Sequence, residues 1–111
     1  MHAKNWSLTY PDRIHEQLAP AYDFISTIAY IPNDRLALTF VDSKAFESLT
    51  LDQFVRFAAK SGLPETLTID TVKETVLRFH DAWPHSRDLP IPSELRTIIE
   101  RHITSVPISR L

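Results

Sequence analysis

The stretch HAKNWSLTYPDRIHEQLAPAYD, residues 2–23, decides how the chain is read. It opens on His-x-x-Asn (His2 and Asn5) and closes on Pro-Ala-Tyr-Asp, ending at Asp23. Between these marks, residues 5–10 alternate, with Trp6 and Leu8 on one side and Ser7 and Thr9 on the other. That period of two predicts a short half-buried strand. Tyr10-Pro11-Asp12-Arg13 reads as a turn, because Pro11 presets the φ of a type I turn and Asp12 can bond its own backbone. Residues 15–18 return as a partner strand, and Pro20 ends the pairing. A hairpin so formed brings its two open ends together, and with them the Asn5 amide and the Asp23 carboxylate. Two oxygen donors on neighbouring segments can hold a hard cation such as Mg²⁺. A plainer reading stands beside it: Asn near a strand start and Asp after a turn commonly bond local backbone.

Downstream of the hairpin, residues 24–31 are apolar apart from Ser26-Thr27, and Pro32-Asn33-Asp34 closes them as a turn. Residues 35–41 favour an extended form, with Leu36, Leu38 and Phe40 spaced by two. The second half is helical. Thr50 and Gln53 have the spacing of a capping box, Leu51, Phe54, Val55 and Ala58 make an apolar stripe, and Gly62 is a natural stop. The next helix carries Ile69, Val72, Val76, Phe79 and Trp83 and ends before Pro84, its start capped by Thr68 or Asp70. Residues 85–92 form a polar connection. A last helix runs from Pro92 or Ser93 through Leu95, Ile98, Ile99 and His102 to about Ser105, before Pro107. The stripes are expected in the core, with three helices packed together on the hairpin. The fold expected is mainly α: one domain over residues 1–111, with the hairpin and an irregular segment at 1–50 and three helices at 51–111.

Composition narrows the function. The chain has 111 residues, 43% of them hydrophobic and 23% charged, the make-up of one soluble globular domain. No apolar run reaches the roughly 20 residues a membrane span needs, and no signal-peptide pattern opens the chain. Cysteine is absent, which excludes disulfides and thiolate chemistry and fits a cytoplasmic protein. Residues 1–50 carry four basic and six acidic side chains, and residues 51–111 carry eight of each. Neither half makes a basic face, so direct nucleic-acid binding is not expected. One glycine, Gly62, stands against eight prolines. Loops that wrap phosphates need glycine to approach the anion closely, and neither a G-x-G-x-x-G nor a Walker sequence can exist here. A nucleotide handled by this protein would have its phosphate-covering loop on another chain or domain.

Other chemistry-bearing residues are less telling. His80 and His85 are not aligned on one helix face, and no His-Glu-x-x-His occurs. His102 lies in an apolar stripe and reads as a core or boundary imidazole. Ser26-Thr27 has the hydroxyls of a nucleophile or phospho-acceptor but no base nearby in sequence, so it reads as a local backbone partner.

Three blocks, MHAKNWSL at 1–8, LAPAYDFIST at 18–27 and YIPNDRLAL at 30–38, together resemble the C-terminal part of HipA-like serine/threonine kinases. These kinases are the toxins of bacterial HipBA-type toxin–antitoxin systems. The resemblance implies a kinase C-lobe-like helical bundle whose small hairpin carries the site. By position it implies that His2 is the catalytic-loop His, Asn5 the metal-binding Asn, and Asp23 the Asp that coordinates Mg²⁺ of ATP. It also implies a helix-turn-helix antitoxin as partner and a translation-related protein substrate, such as an aminoacyl-tRNA synthetase.

The departures matter equally. The family's catalytic Asp would stand immediately before Met1, and the N-lobe sheet, the ATP-binding Lys and the phosphate-covering loop have no counterpart in this sequence. Phosphoryl transfer rests on positioning and charge neutralisation, so this chain alone is expected to be inactive. It reads either as a fragment of a kinase or as a stand-alone C-lobe that binds an antitoxin or a complementary N-lobe. Trp6, Tyr22, Phe24 and Phe40 are candidates for an apolar surface that an N-lobe would cover, and such a surface also favours a homodimer.

Overall fold

The computed structural model describes residues 2–111. It is mainly helical, with a short two-stranded antiparallel hairpin ahead of three α-helices, as the sequence predicts. Strands β1 (Leu8–Thr9) and β2 (Gln17–Leu18) pair Leu8 with Leu18 and Thr9 with Gln17. They are much shorter than residues 5–10 and 15–18, and both are exposed on either side rather than half-buried. The local turn takes over the rest. The Arg13 N–H donates to the Tyr10 carbonyl at 3.0 Å, and the Asp12 carboxylate accepts from the Ile14 and His15 N–H groups at 3.0 and 2.8 Å. Those side chain-to-backbone bonds offer an alternative to ladder pairing.

Helix α1 (Leu51–Ser61) is capped as its sequence demands at both ends. The Thr50 hydroxyl accepts from the Gln53 N–H at 3.3 Å, and Gly62 takes φ 66° in the left-handed region that closes helices. Only half of the expected capping box forms, because the Gln53 side chain turns away and donates to Asp42 at 3.3 Å. Helix α2 (Glu65–Ala82) starts earlier than Thr68 or Asp70, directly after Pro64, whose fixed φ suits a helix start. Trp83–Asp88 continues it as a 3₁₀ segment with Pro84 near its start, so the connection is more ordered than its composition suggests. Helix α3 (Ser93–Ser105) has the predicted bounds, and Pro107–Arg110 follows as a 3₁₀ turn.

The helices pack in two groups. Helix α1 packs against α2, whereas α3 packs on the 3₁₀ turn Thr27–Ala29 of the N-terminal half. Arg96 of α3 reaches back to the 3₁₀ segment after α2, lying over the Trp83 ring and donating to the Ser86 hydroxyl at 2.9 Å. The closing turn binds two distant regions at once. Its Ile108 N–H donates to the Leu49 carbonyl at 2.9 Å, and the Ser109 carbonyl lies 2.7 Å from His80 Nε2.

The predicted core stripes are only partly covered. Among the described residues the buried apolar side chains are Ala29, Ala58 and Val106, while Phe79 and Ile98 remain 40% and 37% exposed. The radius of gyration is 16.0 Å, against about 13 Å for a compact domain of this length. Residues 35–41 do not form the expected strand. The Asp42 N–H donates to the Phe40 carbonyl at 2.7 Å around Val41 at φ 58°, a tight γ-turn that folds the chain back. Helix α1 clamps this turn: Phe40 sits 4.7 Å from the Phe54 ring and 5.2 Å from Phe57, and Arg56 pairs with Asp42 at 2.7 Å. Burying the Phe40 ring among those two favours the reversal over a straight strand with no partner to pair with.

Candidate functional site

The hairpin sets the site. Its ladder continues past β1 and β2 through the Ala19 N–H, which donates to the Ser7 carbonyl at 2.9 Å. Beyond it the two flanks stay in contact by side chains. The Tyr22 hydroxyl donates to the Lys4 carbonyl at 3.1 Å, and Asn5 Nδ2 donates to Asp23 Oδ2 at 2.5 Å. The meeting of Asn5 and Asp23 expected from the sequence is therefore present. Asn5 ends a 3₁₀ turn (Ala3–Asn5) and is the one buried polar side chain among the described residues, 7% exposed. Burial of an amide is tolerated only when its groups are bonded, and here both ends are. Its Oδ1 accepts the His2 N–H at 3.0 Å while its Nδ2 faces the carboxylate.

Asp23 takes φ 57°. Aspartate is among the few residues that enter the left-handed region readily, whereas an ordinary side chain there carries a conformational cost. The turn aims the carboxylate back at Asn5 instead of along the strand. A sterically awkward backbone held in place by surrounding bonds is a frequent companion of binding sites.

An amide oxygen and a carboxylate so placed are hard oxygen donors, the set Mg²⁺ accepts. One Asp23 oxygen lies outside the Asn5 bond, and a carbonyl oxygen has a second lone pair. The donor chemistry fits a divalent cation, with two protein ligands of the six Mg²⁺ needs and water or phosphate oxygens for the rest. No group of three or more His, Asp or Glu able to hold a metal occurs among the described residues.

Both residues open into a cleft of about 650 Å³, which His2, Phe24, Thr27, Asp34 and Arg35 also line. His2 thus stands at the same cleft as Asn5 and Asp23. The structure adds a partner that sequence distance concealed: the Thr27 hydroxyl donates to Asp34 Oδ2. Asp34 returns to Thr27 through the turn at 32–34, where its own N–H bonds the Ile31 carbonyl at 3.0 Å. The turn was the signal that could have found it. That hydroxyl, and next the Arg35 N–H, hold the Asp34 carboxyl below its ordinary range.

The remaining histidines keep local roles. His102 lies edge-on to Phe46 with centroids 4.6 Å apart, a boundary imidazole as its stripe suggests. His15 Nδ1 sits 2.6 Å from Asp12 at the hairpin tip, both exposed. Nothing in the described residues pairs His80 with His85.

Comparison with known proteins places the chain in a family. Among curated proteins, "Putative kinase Y4dM" of Sinorhizobium fredii is 44% identical over 112 aligned positions, which cover 99% of this chain and 27% of that relative. The chain thus spans about a quarter of the relative's length. No solved structure matches it. No helix among the described residues is long and apolar enough to cross a membrane. A family model for the HipA-like C-terminal domain matches residues 1–83, three-quarters of the sequence including the whole Asn5–Asp23 hairpin, and the chain belongs to that family.

Proposed function

We propose that this chain is the C-terminal lobe of a HipA-like serine/threonine kinase toxin, and that it supplies one half of a Mg²⁺–ATP site. The observation that carries the reading is the contact between Asn5 and Asp23, 2.5 Å apart at the mouth of a cleft. In this reading both residues hold the cation that neutralises the nucleotide phosphates, and His2 shapes the catalytic loop beside them. Such a cation lowers the barrier by stabilising charge that develops on the transferred phosphoryl group. The protein's share is to hold two oxygens still and to keep their cleft shaped. The activity of the whole kinase would be ATP-dependent phosphorylation of a translation-related protein. A helix-turn-helix antitoxin would be the regulatory partner, in a bacterial cytoplasm.

Alone, the chain is expected to be inactive. Positioning a nucleophile and cradling ATP need a base and a glycine-rich cover, and the described cleft offers neither a second set of phosphate donors nor glycine. The test is a phosphorylation assay of the pure chain with Mg²⁺ and ATP, in which steady turnover would overturn this expectation. Calorimetric titration with Mg²⁺-nucleotide then examines the residual site. Weak binding that disappears with Asp23→Ala supports the half-site, and no binding in the parent chain removes it.

A second reading is favoured by the apolar side chains left uncovered in the first third of the chain. Trp6 is 52%, Tyr22 42% and Phe24 69% exposed, and Ile14, Leu18 and Ile25 exceed 60%. Contiguous exposed apolar surface marks protein interaction sites. A stand-alone module that binds a complementary N-lobe or an antitoxin, or that pairs with itself, would use that face. Light scattering at micromolar concentration separates self-pairing from a monomer awaiting another partner.

A further inference from the structure

A second cavity, of about 760 Å³, lies on the far side of the Thr27–Asp34 contact, between the turn at 32–34, Phe46 and helix α3. It shares Ile28, Asp34, Arg35, Phe46 and His102 with the Asn5–Asp23 cleft, so the two lie side by side with a common wall. Two arginines line this cavity from separate elements, Arg35 just after the turn and Arg101 on α3. Neither takes part in an ion pair among the described residues. Four other arginines are committed: Arg56 to Asp42, Arg78 to Glu74, Arg96 to Ser86 and Arg110 to the Ser105 carbonyl. A planar guanidinium presents five donors in a fork matched to carboxylate or phosphate, and an unspent one in a concave site is a receptor for such a group.

The rest of the lining selects the ligand. Asp34 already serves Thr27 and the Arg35 N–H, and Glu47 adds a second carboxylate, so the cavity as a whole is close to neutral. A near-neutral site does not concentrate small anions by field alone. It favours a ligand that places one acidic group in the arginine fork and buries apolar atoms beside it. Ile28, Pro32, Phe46 and Ile98 supply that apolar wall. Those features together describe a peptide more closely than a free phosphate.

We propose that this cavity is a docking subsite for an acidic side chain of the acceptor protein, held by Arg35 and Arg101 beside the Asn5–Asp23 cleft. The proposal rests on the kinase reading for the name of its ligand. Its binding chemistry requires neither metal nor nucleotide.

The experiment is fluorescence anisotropy of labelled serine-containing peptides added to the 111-residue chain without Mg²⁺ or ATP. One peptide carries Glu on either side of the serine and the other carries Gln. The Glu peptide is expected to bind about tenfold more tightly than the Gln peptide, and less tightly as salt rises. Arg35→Gln and Arg101→Gln each lower that affinity about tenfold, the loss of one charge-assisted fork. Arg87→Gln, outside the cavity, leaves it unchanged, and Glu47→Gln strengthens it about twofold. Equal binding of the two peptides overturns the proposal, as does full affinity in both arginine variants. Inorganic phosphate competing as tightly as the peptide would also overturn it, because the cavity would then be a small-anion pocket. If Arg101→Gln loses helicity by circular dichroism, Arg35→Gln decides alone, since its loop lies outside the helices. The outcome is separable from that of the kinase reading, because a failed phosphorylation assay leaves peptide binding intact. Failed peptide binding likewise leaves Asn5 and Asp23 in place.

Discussion

Residues 2–50 and 51–111 solve the same problem, bonding the backbone and covering apolar side chains, in opposite ways. The second region does it with three helices, each of which satisfies its own carbonyls and N–H groups and presents a stripe to a neighbour. The first region has two strands of two residues each and several 3₁₀ turns. It bonds its backbone through scattered turn contacts, such as Tyr30 to Thr27 and Asp34 to Ile31, supplemented by side chains: Asp12, Asn5, Tyr22 and Asp34 each tie a backbone group near a bend. It also leaves its largest apolar residues outside. A helix repeats one inexpensive solution, whereas a site built from bends depends on single side chains. The candidate site is therefore the less redundant part of the molecule, and substitutions in the two regions test that contrast.

The largest effect is expected at Ala58, 1% exposed where α1 packs on its neighbours. Ala58→Arg forces a long charged side chain into that contact and lowers stability by about 3 kcal/mol or more. Denaturant unfolding followed by far-ultraviolet circular dichroism measures it. A smaller loss than at Asn5 would mean that the helices do not dominate stability. Asn5→Ala comes next, at about 1–3 kcal/mol, because Asp23 and the His2 N–H lose their partner. Hydrogen exchange should accelerate in residues 2–25 and stay unchanged in α1–α3. Uniform acceleration would show that the two regions unfold as one. Thr50→Ala removes the α1 cap and costs about 1 kcal/mol, read from the same denaturant curves.

The smallest effect is the pH response of the hairpin tip. The His15 ring first, then the His15 and Ile14 N–H groups, lower the Asp12 pKa from 3.8 to about 2. A carboxyl depressed by folding contributes stability that is complete above its unfolded pKa and is lost as pH falls through the folded one. Hairpin opening is therefore expected between about pH 4 and pH 2, and solvent screens the effect because both groups are exposed. In carbon-detected titration, His15→Ala should move the Asp12 midpoint up toward 3.8. No movement would assign the shift to the backbone bonds alone.

Much of this was legible in the residues. The Thr50 cap, the Gly62 stop and the bounds of α3 followed from local chemistry that nothing distant overrode. The Asn5–Asp23 meeting followed from one turn at Tyr10-Pro11-Asp12-Arg13, because closing a hairpin fixes where its ends lie. What failed depended on partners far away in sequence. Leu36, Leu38 and Phe40 have the spacing of a strand, yet Phe40 finds Phe54 and Phe57 on α1, and the chain reverses at Val41 to reach them. The Val72 and Ile98 stripes point inward by periodicity, but how deeply they are covered is set by the size of the whole assembly, which no period encodes. Likewise the Arg35–Arg101 pair joins residues whose separation in sequence conceals their shared cavity.

The orientation of the Asn5 amide has one further consequence. Its nitrogen faces Asp23 and its oxygen is turned toward the His2 N–H. A cation that drew the amide oxygen toward Asp23 would turn the amide over, exchanging the nitrogen–carboxylate bond for two metal–oxygen bonds. That reversal frees the His2 N–H at the same moment. The site would then behave as a toggle: without the cation the amide pins the start of the chain, and with the cation it releases it. Faster exchange of the His2 and Ala3 amides on adding Mg²⁺ would report the flip directly.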